Sequence, residues 1–319
     1  ESVNFHSSQG MALLAQMSRG VTIRGGGCVR GDSRVHTAGA DATHFSNCGG
    51  YISVQNALYE GMMDDAINVH STCLSIEKVI APNRVELRFM HPQAVGFDVF
   101  PVGSTLQFIK GKTLENHPSL GKAVAVERVD ELTVRVTLEK PLPEGIGTGD
   151  AVENADFYPS VDFSHNIVRA NRARGSLFTT PKPVVVDGNR FIGSSGSAIL
   201  LAGDAQGWYE SGRCRNVIIR NNLFEHNLIC RYQFTEGIIS IYPEVKEPAS
   251  QNERYHENIL IEHNTFITHR VPLLYAISAD NIIFRNNKVM VDDKYAPMHG
   301  GKSFILKHCG KFLSDYPPN

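Results

Sequence analysis

Three stretches of this chain share one pattern, a short run of β-branched and apolar residues that opens and closes on Asn. They are Asn216-Val-Ile-Ile-Arg-Asn-Asn222-Leu-Phe224, Asn258-Ile-Leu-Ile-Glu-His-Asn264-Thr-Phe266 and Asn281-Ile-Ile-Phe-Arg-Asn-Asn287-Lys-Val289, with Asn166-Ile-Val-Arg-Ala-Asn171 as a weaker fourth. Val21-Thr-Ile-Arg24 and Tyr51-Ile-Ser-Val-Gln-Asn56 carry the same texture nearer the start. Asn264 and Asn287 are 23 positions apart; Asn222 and Asn264 are 42 apart, close to two periods or one period with a long loop. Short strands at a period of about 20–25 residues, without amphipathic helices, predict an all-β, right-handed parallel β-helix. One coil cannot bury its inward Val, Ile and Phe alone, so coils stack about 4.8 Å apart and share a core. Asn at a corner tolerates left-handed backbone angles and can hydrogen-bond to Asn of the next coil. A leucine-rich repeat would need an L-x-x-L-x-L pattern, which is missing.

From about Ser75 to Ala155 the texture changes. Val85–Phe89, Thr105–Ile109, Ala123–Val129 and Leu132–Leu138 alternate apolar and polar residues between turn sequences such as Ala81-Pro-Asn83 and Pro101-Val-Gly103. The pair 123–129 and 132–138 reads as an antiparallel hairpin. Residues 75–155 are thus expected to form a small antiparallel β-barrel inserted between β-helix coils at 1–74 and 156–319.

Composition sets outer limits. With 42% hydrophobic and 20% charged residues the chain is a folded one. Thirty-one basic against 33 acidic side chains, a net charge of −2, leave no electrostatic footprint for nucleic acid or an anionic membrane. No apolar run approaches the roughly 20 residues of a spanning helix. The chain opens at Glu1 without Met, as a mature product or an excised fragment would. Cys28, Cys48, Cys73, Cys214, Cys230 and Cys309 form no C-x-x-C pair and read mainly as buried small hydrophobes, with one or two disulfides open to an exported protein.

The chemistry-bearing segment is Ala38-Gly-Ala-Asp41, followed by Tyr59-Glu-Gly-Met-Met-Asp64-Asp65-Ala-Ile-Asn68. Asp64 lies 23 positions after Asp41, the period of the C-terminal repeats, which stacks the two on neighbouring coils with Asp65 beside them. Three crowded carboxylates repel unless one holds a proton or a cation is bound, so such a cluster adds nothing to stability. Glycoside hydrolysis needs such a group: one carboxylic acid to protonate the leaving oxygen and one carboxylate to activate water. A calcium site is the competing reading of the same cluster. Turn residues facing solvent are the plain one.

Glu60-Gly-Met-Met-Asp64-Asp65-Ala-Ile-Asn68-Val-His70, preceded one coil earlier by Asp41, resembles glycoside hydrolase family 110, the bacterial exo-acting α-1,3-galactosidases that remove terminal galactose from blood group B and related glycans. Arg172-Ala-Arg174-Gly175, Thr179-Thr-Pro-Lys-Pro183 and Ile199-Leu-Leu-Ala-Gly-Asp204-Ala-Gln-Gly-Trp208-Tyr-Glu210-Ser-Gly212 are similar to that family too, and the likeness covers most of the chain. The resemblance implies a metal-independent, inverting enzyme with no cofactor. Asp64 would be the general acid, and Asp41 and Asp65 would flank and deprotonate the attacking water. It also implies an α-galactosyl glycan as substrate and a bacterial periplasmic or extracellular setting. Relatives usually carry several more coils before this point. A spacing of roughly 6.5–9.5 Å between the carboxyls of an inverting pair exceeds the coil spacing, so Asp64 is expected to splay away from the other two.

Trp208, the only tryptophan, sits in a Gly-rich loop with Tyr209 and Glu210. A sugar offers an apolar C–H face to a ring, and its hydroxyls suit Glu210 and Arg174. An ordinary loop-packing Trp and a surface Arg are the plain alternatives. His6, His44, His70, His226 and His263 show no paired spacing and read as structural or rim residues. Gly25-Gly-Gly27 lacks the context of a phosphate loop, and Gly193-Ser-Ser-Gly196 has the wrong spacing for a nucleophile elbow. Two rivals remain. A polygalacturonase-like β-helix hydrolase would add Gly-His-Gly and Arg-Ile-Lys motifs, both missing; a non-catalytic carbohydrate-binding β-helix would show an aromatic platform without a carboxylate pocket. An open-ended β-helix makes a homodimer an expectation.

Overall fold

The computed structural model describes residues 1–31, 33–231 and 235–317. Three parallel sheets run its length. One comprises Asn4–Phe5, Gly27–Cys28, Leu58–Glu60, Ile167–Arg169, Arg190–Ile192, Leu223–Glu225, Thr265–Thr268 and Lys288–Val291; a second runs from Arg19–Arg24 and Gly49–Gln55 to Phe312–Ser314. The third, hereafter the cleft sheet, orders Leu13–Gln16, Thr43–Ser46, Ile67–Thr72, Ser176–Phe178, Ile199–Gly203, Ile239–Pro243, Leu274–Ile277 and Phe304–Lys307. The chain visits the sheets in turn, once per coil, so the architecture is the expected parallel β-helix. Inward residues fall in columns. Phe191, Phe224 and Phe266 pair in register and their rings stack, with centroids 5.3 and 4.8 Å apart.

Leu223 pairs directly with Thr265, so the 42-residue interval is one coil with a long loop. At the corner that follows the second sheet, Asn166, Asn189, Asn222, Asn264 and Asn287 form a ladder. The backbone N–H and side-chain amide of each of the first four donate to the Oδ1 of the next, at 2.8–3.1 Å. Two details depart from expectation. The ladder member in the weak repeat is Asn166, not Asn171. The left-handed residue is the one before each ladder Asn, namely His165, Gly188, Asn221, His263 and Asn286, with φ from 54° to 67°. Five amide side chains thus close the buried donors of one corner, which a hydrophobic residue could not do.

Between Thr72 and Pro159 the chain leaves the β-helix. Arg84–Arg88, Thr133–Leu138, Asn116–Arg128, Thr105–Ile109, Ala151–Asn154 and Leu74–Ala81 close in that order into an antiparallel barrel with its own apolar core. Arg128 opposite Val134 and Ala123 opposite Leu138 make the expected hairpin. All six cysteines are free. Among the described residues, no helix is long and apolar enough to cross a membrane.

Candidate functional site

The corner leading into the cleft sheet carries the carboxylates. Thr43, Ile67 and Ser176 are register partners, and Asp41, Asp65 and Arg174 each stand two residues before one of them. Asp41 is therefore stacked against Asp65, not Asp64 as the 23-residue spacing suggested. The interval here is one residue longer than in the C-terminal repeat. The Asp65 N–H donates to Asp41 Oδ1 at 2.9 Å and fixes the stack. Asp64, displaced by one position, has a side chain 38% exposed, whereas Asp65 is fully enclosed.

One oxygen of each carboxylate lies within 4.8 Å of the others. Asp64 is thus not splayed away from Asp41 and Asp65. Arg174 makes that crowding tolerable. Its Nε and Nη2 donate to Asp65 Oδ1 and Oδ2, each at 2.8 Å, and Nη2 also reaches Asp64 Oδ1 at 2.9 Å. Burial works against the charge of Arg174, but Asp65 and Asp64 outweigh it and hold the guanidinium protonated. Burial is the largest influence on Asp65 and pushes its proton affinity up against the pull of Arg174. Asp41 is raised to about 7, first by burial, then by Asp64 and Glu210. The sequence suggests Arg174 as a donor to sugar hydroxyls; in the structure its Nε and Nη2 bond to the two aspartates.

On the outer face of the cleft sheet, His44 lies beside Asn68, and His70 is two residues further along that strand. Alternation in Thr43–Ser46 and Ile67–Thr72 puts both imidazoles on the cleft side, so the reading of His44 and His70 as structural or rim residues needs correction. Both are buried, and burial lowers their proton affinity. His44 Nδ1 is 2.6 Å from Asp41 Oδ2, and the two Nε2 atoms are 2.7 Å apart.

Glu210 arrives from another direction. The two-residue strand Glu210–Ser211 pairs antiparallel with Thr72 and Ser71, which brings Glu210 to 3.5 Å from His70 Nε2 and from Asn68 Nδ2. Burial raises Glu210, but the polar and charged groups around it, Arg174 among them, hold it below the ordinary range. The Trp208 loop is built on Asp204, whose carboxylate accepts the N–H groups of Gln206, Gly207, Trp208 and Tyr209. Trp208 is 50% exposed and stacks on His91, centroids 3.9 Å apart, and His91 belongs to the barrel. Asp41, Asp64, Arg174, Trp208 and Glu210 all line one cleft of about 500 Å³, with His44, His70 and His91. Asp65 lies just beneath it.

Two groups bring carboxylate or imidazole atoms close enough to suggest a metal: Asp41, Asp64 and Asp65, and His44, His70 and Glu210. Neither suits one. Arg174 already supplies the positive charge at the first. At the second, two nitrogens about 2.0–2.1 Å from one tetrahedral ion would stand about 3.3 Å apart, and 2.7 Å is a hydrogen bond.

Fold and cleft together define a parallel β-helix with an inserted barrel and an acidic, arginine-clamped pocket of sugar size. Residues 84–152 match the family model "GLAA-B beta-barrel domain II". Over 98% of its length the chain is 56% identical to an alpha-1,3-galactosidase B of Akkermansia muciniphila, of which it covers 39%, and over 94% it is 45% identical to an alpha-1,3-galactosidase B of Parabacteroides distasonis, of which it covers 51%. The chain thus spans about half, or less, of the length of these curated relatives. Among solved structures, the Agl-KA catalytic domain aligns at 10% identity and a TM-score of 0.42 over 96% of this chain and 45% of that one. The chain is a homologue of the alpha-1,3-galactosidases B, and its resemblance to glycoside hydrolase family 110 holds.

Proposed function

We propose that the cleft is the active site of an exo-acting glycoside hydrolase that releases terminal α-1,3-linked galactose with inversion, in a bacterial periplasmic or extracellular setting. The division into coils 1–74, barrel 75–155 and coils 156–319 is part of the same reading. The names of the relatives support the substrate. The observation that carries the chemistry is the unequal setting of two carboxylates sharing one cleft: Asp41, buried and raised to about 7, and Asp64, partly exposed and bonded to Arg174. That difference favours Asp41 as the acid, the reverse of the assignment implied by resemblance. Asp41 turns its O–H from His44 Nδ1 to the glycosidic oxygen, and the proton passes over as the bond to the anomeric carbon breaks. Water attacks from the opposite face and gives its proton to Asp64. Asp65, out of reach of the cleft, anchors Arg174, which orients Asp64. Trp208 and Glu210 hold the sugar, the ring by stacking on its C–H face and the carboxylate by accepting from hydroxyls.

Water and an anomeric carbon must fit between acid and base, about 6.5–9.5 Å between carboxyls for inversion. The nearest oxygens stand within 4.8 Å here, so this reading requires Asp64 to turn away from Asp41, out of its bond to Arg174, when substrate enters. Proton NMR of galactose released from α-1,3-galactobiose and from blood group B trisaccharide tests the reading. β-Galactose appearing first, with Asp41→Asn and Asp64→Asn both inactive, is the expected result. α-Galactose first would mean retention; sugar bound by wild type without release would favour a carbohydrate-binding β-helix.

A further inference from the structure

Three hydrogen bonds in series run along the floor of the cleft: Asp41 Oδ2 to His44 Nδ1 at 2.6 Å, His44 Nε2 to His70 Nε2 at 2.7 Å, and His70 Nδ1 to the Ser71 carbonyl at 3.0 Å. A carbonyl only accepts, so His70 Nδ1 carries a hydrogen. A neutral His70 then offers a bare Nε2, which accepts from His44 Nε2–H. A neutral His44 in turn points a bare Nδ1 at Asp41, and an ionised carboxylate has no hydrogen to place between them. Asp41 must therefore donate. Moving a charge onto either ring does not change the total. Three bonds hold three hydrogens, one more than a carboxylate and two neutral imidazoles possess.

We propose that His44 and His70 are positioning residues that lock one dissociable proton onto Asp41, and so select it as the acid of the cleft. This rests on the hydrolase reading above. The Ser71 carbonyl, the fixed end of the chain, is held by the pairing of Ser71 with Ser211. The charges facing the chain are Asp64 and Asp65 from the next coil, Arg174 from the coil after, and Glu210 from the antiparallel strand. Asp64 and Glu210 favour a proton on Asp41; Arg174 opposes it. Burial disfavours imidazolium at both rings, which leaves the extra hydrogen at the carboxyl.

His70→Phe removes the acceptor that fixes the His44 tautomer. His44 can then carry its hydrogen on Nδ1 and donate to an ionised Asp41. The alkaline limb of kcat/KM for α-1,3-galactobiose should move about one unit or more to lower pH. Hydrolysis at pH 7.5 should fall roughly 10-fold or more, but far less on 4-nitrophenyl α-galactoside, whose leaving group needs little protonation. His70→Gln, whose side-chain carbonyl can accept from His44, should return the limb towards its wild-type position. Equal losses on both substrates with an unmoved limb would overturn the proposal. A second readout needs no turnover: ¹⁵N spectra of the wild-type protein with labelled histidine, below pH 7, should show His70 as the Nδ1–H tautomer and His44 as Nε2–H. His44 found as Nδ1–H would sink the inference whatever the activity. If the tautomers are as expected but no galactoside is cleaved, the hydrolase reading fails and the proton placement stands.

Discussion

Arg174 grips Asp65 with two parallel hydrogen bonds of 2.8 Å, in a place where Asp65 has no exposed surface at all. Removing one partner of such a pair leaves the other charge buried alone, at a cost of about 3–5 kcal/mol. Arg174→Leu should therefore lower the thermal midpoint sharply at pH 8. The loss should shrink at pH 5, where Asp65, already raised by burial, can take up a proton. Arg174→Lys keeps a charge but not the fork, and should fall between the two. An Arg174→Leu midpoint independent of pH would show that Asp65 is not the residue left stranded.

Asp41 allows the opposite experiment. Its folded-state proton affinity is raised to about 7, above that of an unfolded carboxyl. Such a group contributes stability at low pH that is lost as pH rises through about 7. Asparagine copies the protonated acid: its oxygen can accept from the Asp65 N–H, and its amide can donate to His44 Nδ1. Asp41→Asn should unfold at a higher temperature than wild type at pH 8, with little difference at pH 4, while hydrolysis drops roughly 10²–10⁴-fold. A midpoint below wild type at pH 8 would contradict the proton placement.

Trp208 is half exposed and rests on His91 rather than in a core. Aromatic contacts of this kind are worth about 0.5–1.5 kcal/mol. Trp208→Ala should raise KM roughly 3–10-fold with kcat nearly kept, as steady-state kinetics on galactobiose would show. A fall in kcat at constant KM would place Trp208 with the reacting atoms instead.

The Asn ladder should be the most sensitive point of the scaffold away from the cleft. In Asn222→Ala the Asn189 amide loses its acceptor and the Val186 carbonyl its donor, both in the interior. Each stranded group costs roughly 1–3 kcal/mol. Urea unfolding should show a midpoint shift matching at least one such loss; no shift would mean that water replaces the side chain.

Much of this was legible from residue order. A run such as Asn258-Ile-Leu-Ile-Glu-His-Asn264 encodes both the inward column and the corner amide, so the coils and their stacking follow from local pattern. The barrel was legible for the same reason, since its strands alternate and its turns carry Pro and Gly. Asp41, Asp64 and Asp65 were correctly expected to meet. Their register was not, because one extra residue in the coil shifts Asp64 off the column and puts Asp65 on it. His44 and His70 show no paired spacing along the chain because their pairing is across strands, although alternation within Thr43–Ser46 and Ile67–Thr72 points both outward with Asn68. His91 left no local signal, since its place depends on how a barrel with its own core lies against the coils.

That barrel leaves the coils after the strand bearing His70 and returns before the coil bearing Arg174. Its strands pair with one another, and none extends a β-helix sheet. Loops of the barrel can thus lengthen, shorten or change sequence without sliding Asp41, Asp65 and Arg174 past one another. The cleft wall at His91 is free to diversify while the register of Asp41, Asp65 and Arg174 stays put.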